Sequence, residues 1–144
     1  MREFKVRNCK LIELPKIGDR ERGYLSFMES LRNIPFEIKR VYYIYGIEDP
    51  SAVRGEHAHK ENLEQIFFCI NGSVTFLLDD GENKDKYELK DPNIGIYIGP
   101  GVWHTLVNFS KDAIILVVAS DYYNEELYIR DYNKFLEHVK GVKR

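Results

Sequence analysis

The sequence predicts an all-β protein, a sandwich or barrel of short strands ended by one short helix. Three observations predict it. Short β-branched and aromatic runs recur along nearly all of the 144 residues, turn-forming residues separate them, and only the last stretch repeats its apolar residues at helical spacing.

In chain order the runs cover residues 4–12, 24–27, 36–45, 65–70, 74–78, 87–89, 94–98, 105–109 and 114–119. Asn71-Gly72, Asp80-Gly81, Asp91-Pro92, Gly99-Pro100-Gly101 and Ser110-Lys111-Asp112 punctuate them as turns. Beyond the last run, Tyr132, Phe135, Leu136 and Val139 recur at helical spacing, and Asp131 stands where an N-cap belongs, so a helix is expected over 131–140. No repeat, low-complexity segment or linker interrupts the chain. A single domain over 1–144 is expected, because a chain this long, 44% hydrophobic and 13% aromatic, buries one good core and is too short for two.

The balance of 21 basic against 23 acidic residues gives no bulk attraction to nucleic acid or anionic lipid, so any phosphate recognition must be local. Cys9 and Cys69 fit no metal-ligand spacing and are expected as buried free thiols of a reducing cytosol. The longest apolar run, 113–119, is far short of a membrane span, and the charged start Met1-Arg2-Glu3 does not read as a signal peptide. A soluble, cytoplasmic protein is expected.

The segment Arg54-Gly55-Glu56-His57-Ala58-His59-Lys60 carries the chemistry. Side chains at i and i+2 of a strand share a face about 6.6 Å apart, so His57 and His59 are expected to enter one cavity side by side. Two imidazoles can hold a metal or move protons near neutral pH. His104, after the Gly99-Pro100-Gly101 turn, is a third candidate, whereas His138 on the terminal helix is expected at the surface.

His57-x-His59, Glu64-Gln65 and Gly72 resemble the first motif of the cupin superfamily, and Gly101-x-x-His104-x-x-x-Asn108 resembles the second. The proline usual two residues before that second glycine is replaced by Gly99, with Pro100 displaced by one. The resemblance implies a cupin double-sheet β-barrel, or jelly roll, with the histidines lining its interior. Residues 34–45, 54–60, 79–81, 101–104 and 119–123 together are similar to the dTDP-4-keto-6-deoxyglucose 3,4-ketoisomerases, a match that extends from about Gly23 to Leu136. That similarity implies a homodimer with exchanged N-terminal strands, residues 1–14 here. It also implies binding of a dTDP-linked keto sugar and transfer of its ketone from C4 to C3 without metal or other cofactor. The product would supply an aminotransferase that makes a 3-amino sugar for a surface glycan.

A base can remove the C3 hydrogen of a 4-keto sugar if an acid meets the C4 oxygen at the same time. An enediol results, and returning a proton to C4 while O3 loses its own completes the shift. His57 is expected as the carbon base, because nucleotide-sugar epimerases of similar fold carry theirs in an Arg-Gly-x-His setting. His59 is expected to shuttle protons between O3 and O4. The competing reading is a metal-dependent cupin oxygenase with three histidines and one carboxylate. Gln65 speaks against it, since it stands where the motif's carboxylate belongs and a neutral amide is a poor transition-metal ligand, while strand alternation turns Glu64 outward. A non-catalytic sugar-sensing domain is the third reading, and it needs no pair of titrating groups.

A diphosphate needs cations at the barrel mouth. Arg54 is the first candidate, Arg40 the second and Lys60 the third. Tyr42 alternates with Arg40 and is expected to point into the same cavity. His104 is expected near the sugar ring, Asn108 at the ligand or at the barrel lip, Gln65 as a partner of a histidine or a sugar hydroxyl, Tyr24 at the flank of the pocket, and Trp103 either beside it or in the core.

Overall fold

The computed structural model describes residues 2–141. Ten strands form two antiparallel five-stranded layers. The first layer has the order β1 (Cys9–Glu13), β9 (Ile94–Ile98), β6 (Gln65–Asn71), β11 (Ile114–Ala119) and β4 (Arg40–Ile44). The second has the order β12 (Tyr128–Ile129), β5 (Arg54–His59), β10 (Trp103–Val107), β7 (Val74–Asp79) and β8 (Lys84–Leu89). A separate hairpin of β2 (Ile17–Asp19) and β3 (Gly23–Leu25) is exposed along both strands. This is the double-sheet jelly roll that the motifs implied, its two layers facing each other without closing into a barrel, since no ladder joins them among the described residues.

The main core lies between the layers, where Phe67, Phe76, Ile96, Ile98, Leu106, Ile115 and Val117 are buried. A second cluster covers the outer side of the first layer, because Leu14, Ile34 and Phe36 from the segments flanking the hairpin pack on Ile66, Phe68 and Val118. Hence β6 is buried continuously over Gln65–Cys69 and shows no in–out alternation. The predicted helix forms as α1 (Tyr132–Lys140), with the Asp131 carboxylate accepting from the Lys134 N–H at 3.0 Å. Phe135 on its buried face meets Ala58 and Ile129.

The predicted strand over 4–12 begins only at Cys9, for a polar reason. The N–H groups of Lys5 and Val6 donate to the Asp85 carboxylate at 2.7 and 2.9 Å, and that of Arg7 to Asp80 at 2.9 Å. The arm is thereby held along β8 of the second layer before β1 joins β9 of the first, tying the two layers together. Cys69 is buried and Cys9 only partly so; both are free. No helix among the described residues is long and apolar enough to cross a membrane.

Candidate active site

The site is built on a bulge in β5. The register against β10 pairs His57 with His104 but Gly55 with Thr105, so Glu56 is an extra residue on β5. Gly55 and Glu56 both have left-handed backbones, φ 82° and 58°. A Cβ on Gly55 would lie 2.8 Å from the His104 carbonyl oxygen, so only glycine fits there. Beyond the bulge alternation resumes, with Ala58 packed toward α1 and the two histidines turned to the space between the layers.

Three imidazoles converge there. Ring centroids are 4.6 Å apart for His57 and His104, 4.8 Å for His59 and His104, and 5.3 Å for His57 and His59. Nδ1 of His104 lies 3.0 Å from the Val102 carbonyl, which can only accept, so Nδ1 carries the proton and Nε2 keeps a lone pair. That Nε2, like both ring nitrogens of His59, is buried without a hydrogen-bond partner. Burial drives all three rings toward the neutral form. His57 is pushed down to about 4, His104 to about 3, and His59 well below the usual imidazole value with further repulsion from His104 and His57.

A cavity of about 480 Å³ opens beside the cluster. His57, His104, Phe67 and Leu106 form its inner wall, and Arg40, Arg54, Arg130, Tyr42, Tyr123 and Tyr128 lie around them. His59 and Gln65 are fully buried and do not line it. The expected pair of adjacent histidines on the cavity wall is therefore replaced by His57 and His104 from neighbouring strands, because the bulge sets His57 opposite His104. Gln65 accepts from the Tyr42 hydroxyl at 3.1 Å, taking neither a histidine nor the open cavity as partner.

Arg40, Arg54 and Tyr42 are brought together at the cavity as expected by their strand positions. Lys60 is not: it follows the last residue of β5 and lines a separate cleft with Lys134 and His138. Asn108 is exposed with φ 53°, a left-handed residue just past the end of β10, and is not part of the wall. Tyr24 sits on the β2–β3 hairpin under Lys16, away from the cavity of its own chain. Trp103 points to the opposite face of β10 and packs on Tyr132 and Phe135 of α1.

Three polar wall residues, Tyr123, Tyr128 and Arg130, escaped the sequence reading, and the last two reach closest to the histidines. Tyr128 packs its ring 5.0 Å from His57 and 5.3 Å from His59, and its hydroxyl accepts from Arg40 Nη2 at 3.0 Å. Arg130 stands 5.0 Å over the Tyr128 ring. Both lie at or beside β12, a strand of two residues too short to show any periodicity. The only available signal was alternation, which places residues 128 and 130 on one face.

The three imidazoles offer ring nitrogens within 4.8 Å of one another and could hold a metal ion. The carboxylate of the three-histidine-one-carboxylate set is not supplied by the described residues. Glu64 faces the outer side of the first layer and accepts from the Tyr97 hydroxyl at 2.5 Å.

Two open sheets with histidines converging between them define a cupin-like jelly roll. The family model for FdtA, described as WxcM-like, C-terminal, matches residues 7–140, and the chain belongs to that family. It is 48% identical over 135 residues to the TDP-4-oxo-6-deoxy-alpha-D-glucose-3,4-oxoisomerase of Aneurinibacillus thermoaerophilus, covering 92% of this chain and 94% of that one. Its fold matches the sugar 3,4-ketoisomerase QdtA from Thermoanaerobacterium thermosaccharolyticum in complex with TDP at a TM-score of 0.89, with 42% identity over 93% of this chain and 96% of that chain. The TDP-quinovose 3,4-ketoisomerase WlaRB from Campylobacter jejuni is similar at a TM-score of 0.85 and 48% identity, covering 92% and 99%.

Proposed function

We infer that this chain is a dTDP-4-keto-6-deoxyglucose 3,4-ketoisomerase that moves the ketone from C4 to C3 through an enediol. The observation that carries the mechanism is a cavity whose inner wall holds neutral imidazoles and whose surround holds three arginines. Neutral rings can take a proton at pH 7, and arginines suit a diphosphate. His57 is the proposed base at C3. His59 is the proposed shuttle between O3 and O4. The cavity wall favours a second reading of that last role, because His104 reaches the cavity and His59 is covered by its neighbours. Arg54 and Arg40 are the proposed diphosphate ligands, with Tyr42 beside them.

We further propose a cytoplasmic homodimer that feeds a 3-aminotransferase in surface-glycan synthesis. Support for the dimer comes from the edge strand β4, whose Val41 and Tyr43 are 55% and 61% exposed, and from exposed Ile17 and Leu25 on the hairpin. The function is tested by incubating the protein with dTDP-4-keto-6-deoxyglucose in D2O and following the ring protons by NMR. Deuterium should appear at C4 of the accumulating 3-ketone and, by reversal of the first proton transfer, at C3 of the remaining 4-keto sugar. A substrate spectrum that stays unchanged sinks the proposal.

A further inference from the structure

Three arginines line the cavity, and one of them is already engaged with an acid. Arg130 donates from Nε to Oε1 of Glu125 and from Nη2 to Oε2, the second at 2.9 Å. This two-point fork presents the guanidinium with the same planar pair of oxygens that a phosphate would offer. Tyr123, which also lines the cavity, donates its hydroxyl to the same carboxylate. Glu125 itself is not part of the wall. It sits in the 3-10 turn Glu125–Leu127 between β11 and β12 and draws two wall side chains to one anionic point. The Arg130 and Tyr123 hydrogen bonds hold its carboxyl down at about 2, so it is charged throughout the neutral range. The ion pair is half open to water, with side-chain exposures of 51% and 53%. A pair of that kind is weak and exchangeable.

We propose that Arg130 is a third diphosphate-binding arginine and that Glu125 is its internal competitor, an acid that occupies the guanidinium until the ligand's phosphate displaces it. The inference rests on reading the cavity as a nucleotide-diphosphate-sugar site. Arg54 and Arg130 both lie exposed at the rim, and Arg40 between the layers spends a donor on Tyr128. Arg130 therefore adds positive charge directly above the aromatic ring that packs on His57 and His59. The exchange costs part of the binding energy, which lowers affinity for nucleotide and hastens release of product to the next enzyme. It also frees Tyr123 and the 3-10 turn from their shared anchor when ligand is bound.

Calorimetry with dTDP at low ionic strength tests this on the intact chain, on Glu125→Gln, on Arg130→Gln and on the double variant. Arg130→Gln should weaken binding about tenfold, as loss of a charge-assisted contact does. Glu125→Gln should tighten binding about two- to fivefold, the scale of an exposed ion pair. Glu125→Ala should do the same, which excludes a glutamine that simply takes over the carboxylate's place. In the Arg130→Gln background the gain from Glu125→Gln should vanish. Unchanged or weaker binding by both Glu125 variants overturns the proposal, as does unchanged binding by Arg130→Gln. An equal gain with and without Arg130 overturns it too, since Glu125 would then act only as a general negative charge. If the unsubstituted chain binds no dTDP and isomerises no keto sugar, it is the functional reading that fails; if it does both and Glu125→Gln binds no tighter, only this inference fails.

Discussion

His57 meets the cavity as a neutral ring held against His104 and Tyr128, and this sets what single substitutions should do. His57→Asn should abolish both ketone transfer and deuterium entry at C3, because asparagine keeps a hydrogen bond but takes no proton. His59→Asn should slow the ketone shift by a factor of about 10² to 10⁴ and leave some C3 exchange. If His104 carries the oxygen-bound protons, that pattern moves to His104→Asn and His59→Asn stays near full rate; NMR of the three variants in D2O separates the cases. The same burial sets the pH response. The folded His104 ring is depressed to about 3 from an ordinary 6.5, so below pH 6.5 the unfolded chain binds a proton that the folded one refuses. Stability contributed by the neutral ring is thus fully present above pH 6.5 and falls by about 1.4 kcal/mol per unit as the pH drops toward 3. Urea unfolding between pH 7 and 4.5 should show the summed slope of the three depressed imidazoles, and His104→Asn should remove one proton's worth of it. In the same range kcat/KM should keep its value well below pH 6.5, since the His57 base protonates only at about 4. An acid limb centred at 6.5 would contradict the burial that the geometry shows.

At the scale of the element, the β5 bulge is the feature on which the site depends. Residues 55 and 56 bend the strand through two consecutive left-handed conformations, so that His57 faces His104 across the ladder. Gly55→Ala adds a methyl group 2.8 Å from the His104 carbonyl oxygen at φ 82°. We expect it to cost about 1 to 3 kcal/mol of stability and to lower kcat through displaced histidines, while dTDP affinity changes less. Denaturant melts and steady-state kinetics check both parts, and full activity in a stably folded Gly55→Ala chain would show that the bulge does not position the base. The neighbouring β12 is the opposite kind of element. It is two residues long, yet its pairing with β5 brings Tyr128 alongside His59.

For the whole molecule, exposed apolar residues include Val41 and Tyr43 on β4, at the free edge of the first layer, and Ile17, Tyr24 and Leu25 on the β2–β3 hairpin. An unpaired edge strand with outward Val41 and Tyr43 is a surface that a second copy would cover. Light scattering should give twice the chain mass, and Tyr43→Lys should shift the mass toward one chain. A monomer for the unsubstituted protein would remove the proposed dimer.

How much of this the sequence determined depended on whether a feature was local. The strands at 94–98 and 114–119 and the capped helix after Asp131 were legible because periodicity and capping act within a few residues. The family was legible because its histidine and glycine blocks stand at recognisable spacings. Tertiary structure alone decided which imidazoles reach the cavity, since the pairing of β5 with β10 sets His57 opposite His104 at the wall, while His59, opposite Tyr128, is packed beneath the Tyr128 and His104 rings. It also exchanged Lys60 for Arg130 as the third cation on the wall, and brought in Tyr128. Those residues are remote from the histidines in the chain, and only the pairing of β12 with β5 makes them neighbours. The two sheets stayed open for a related reason: side-chain patterns specify which faces are buried, whereas closure depends on ladders between distant strand edges, which no local pattern encodes.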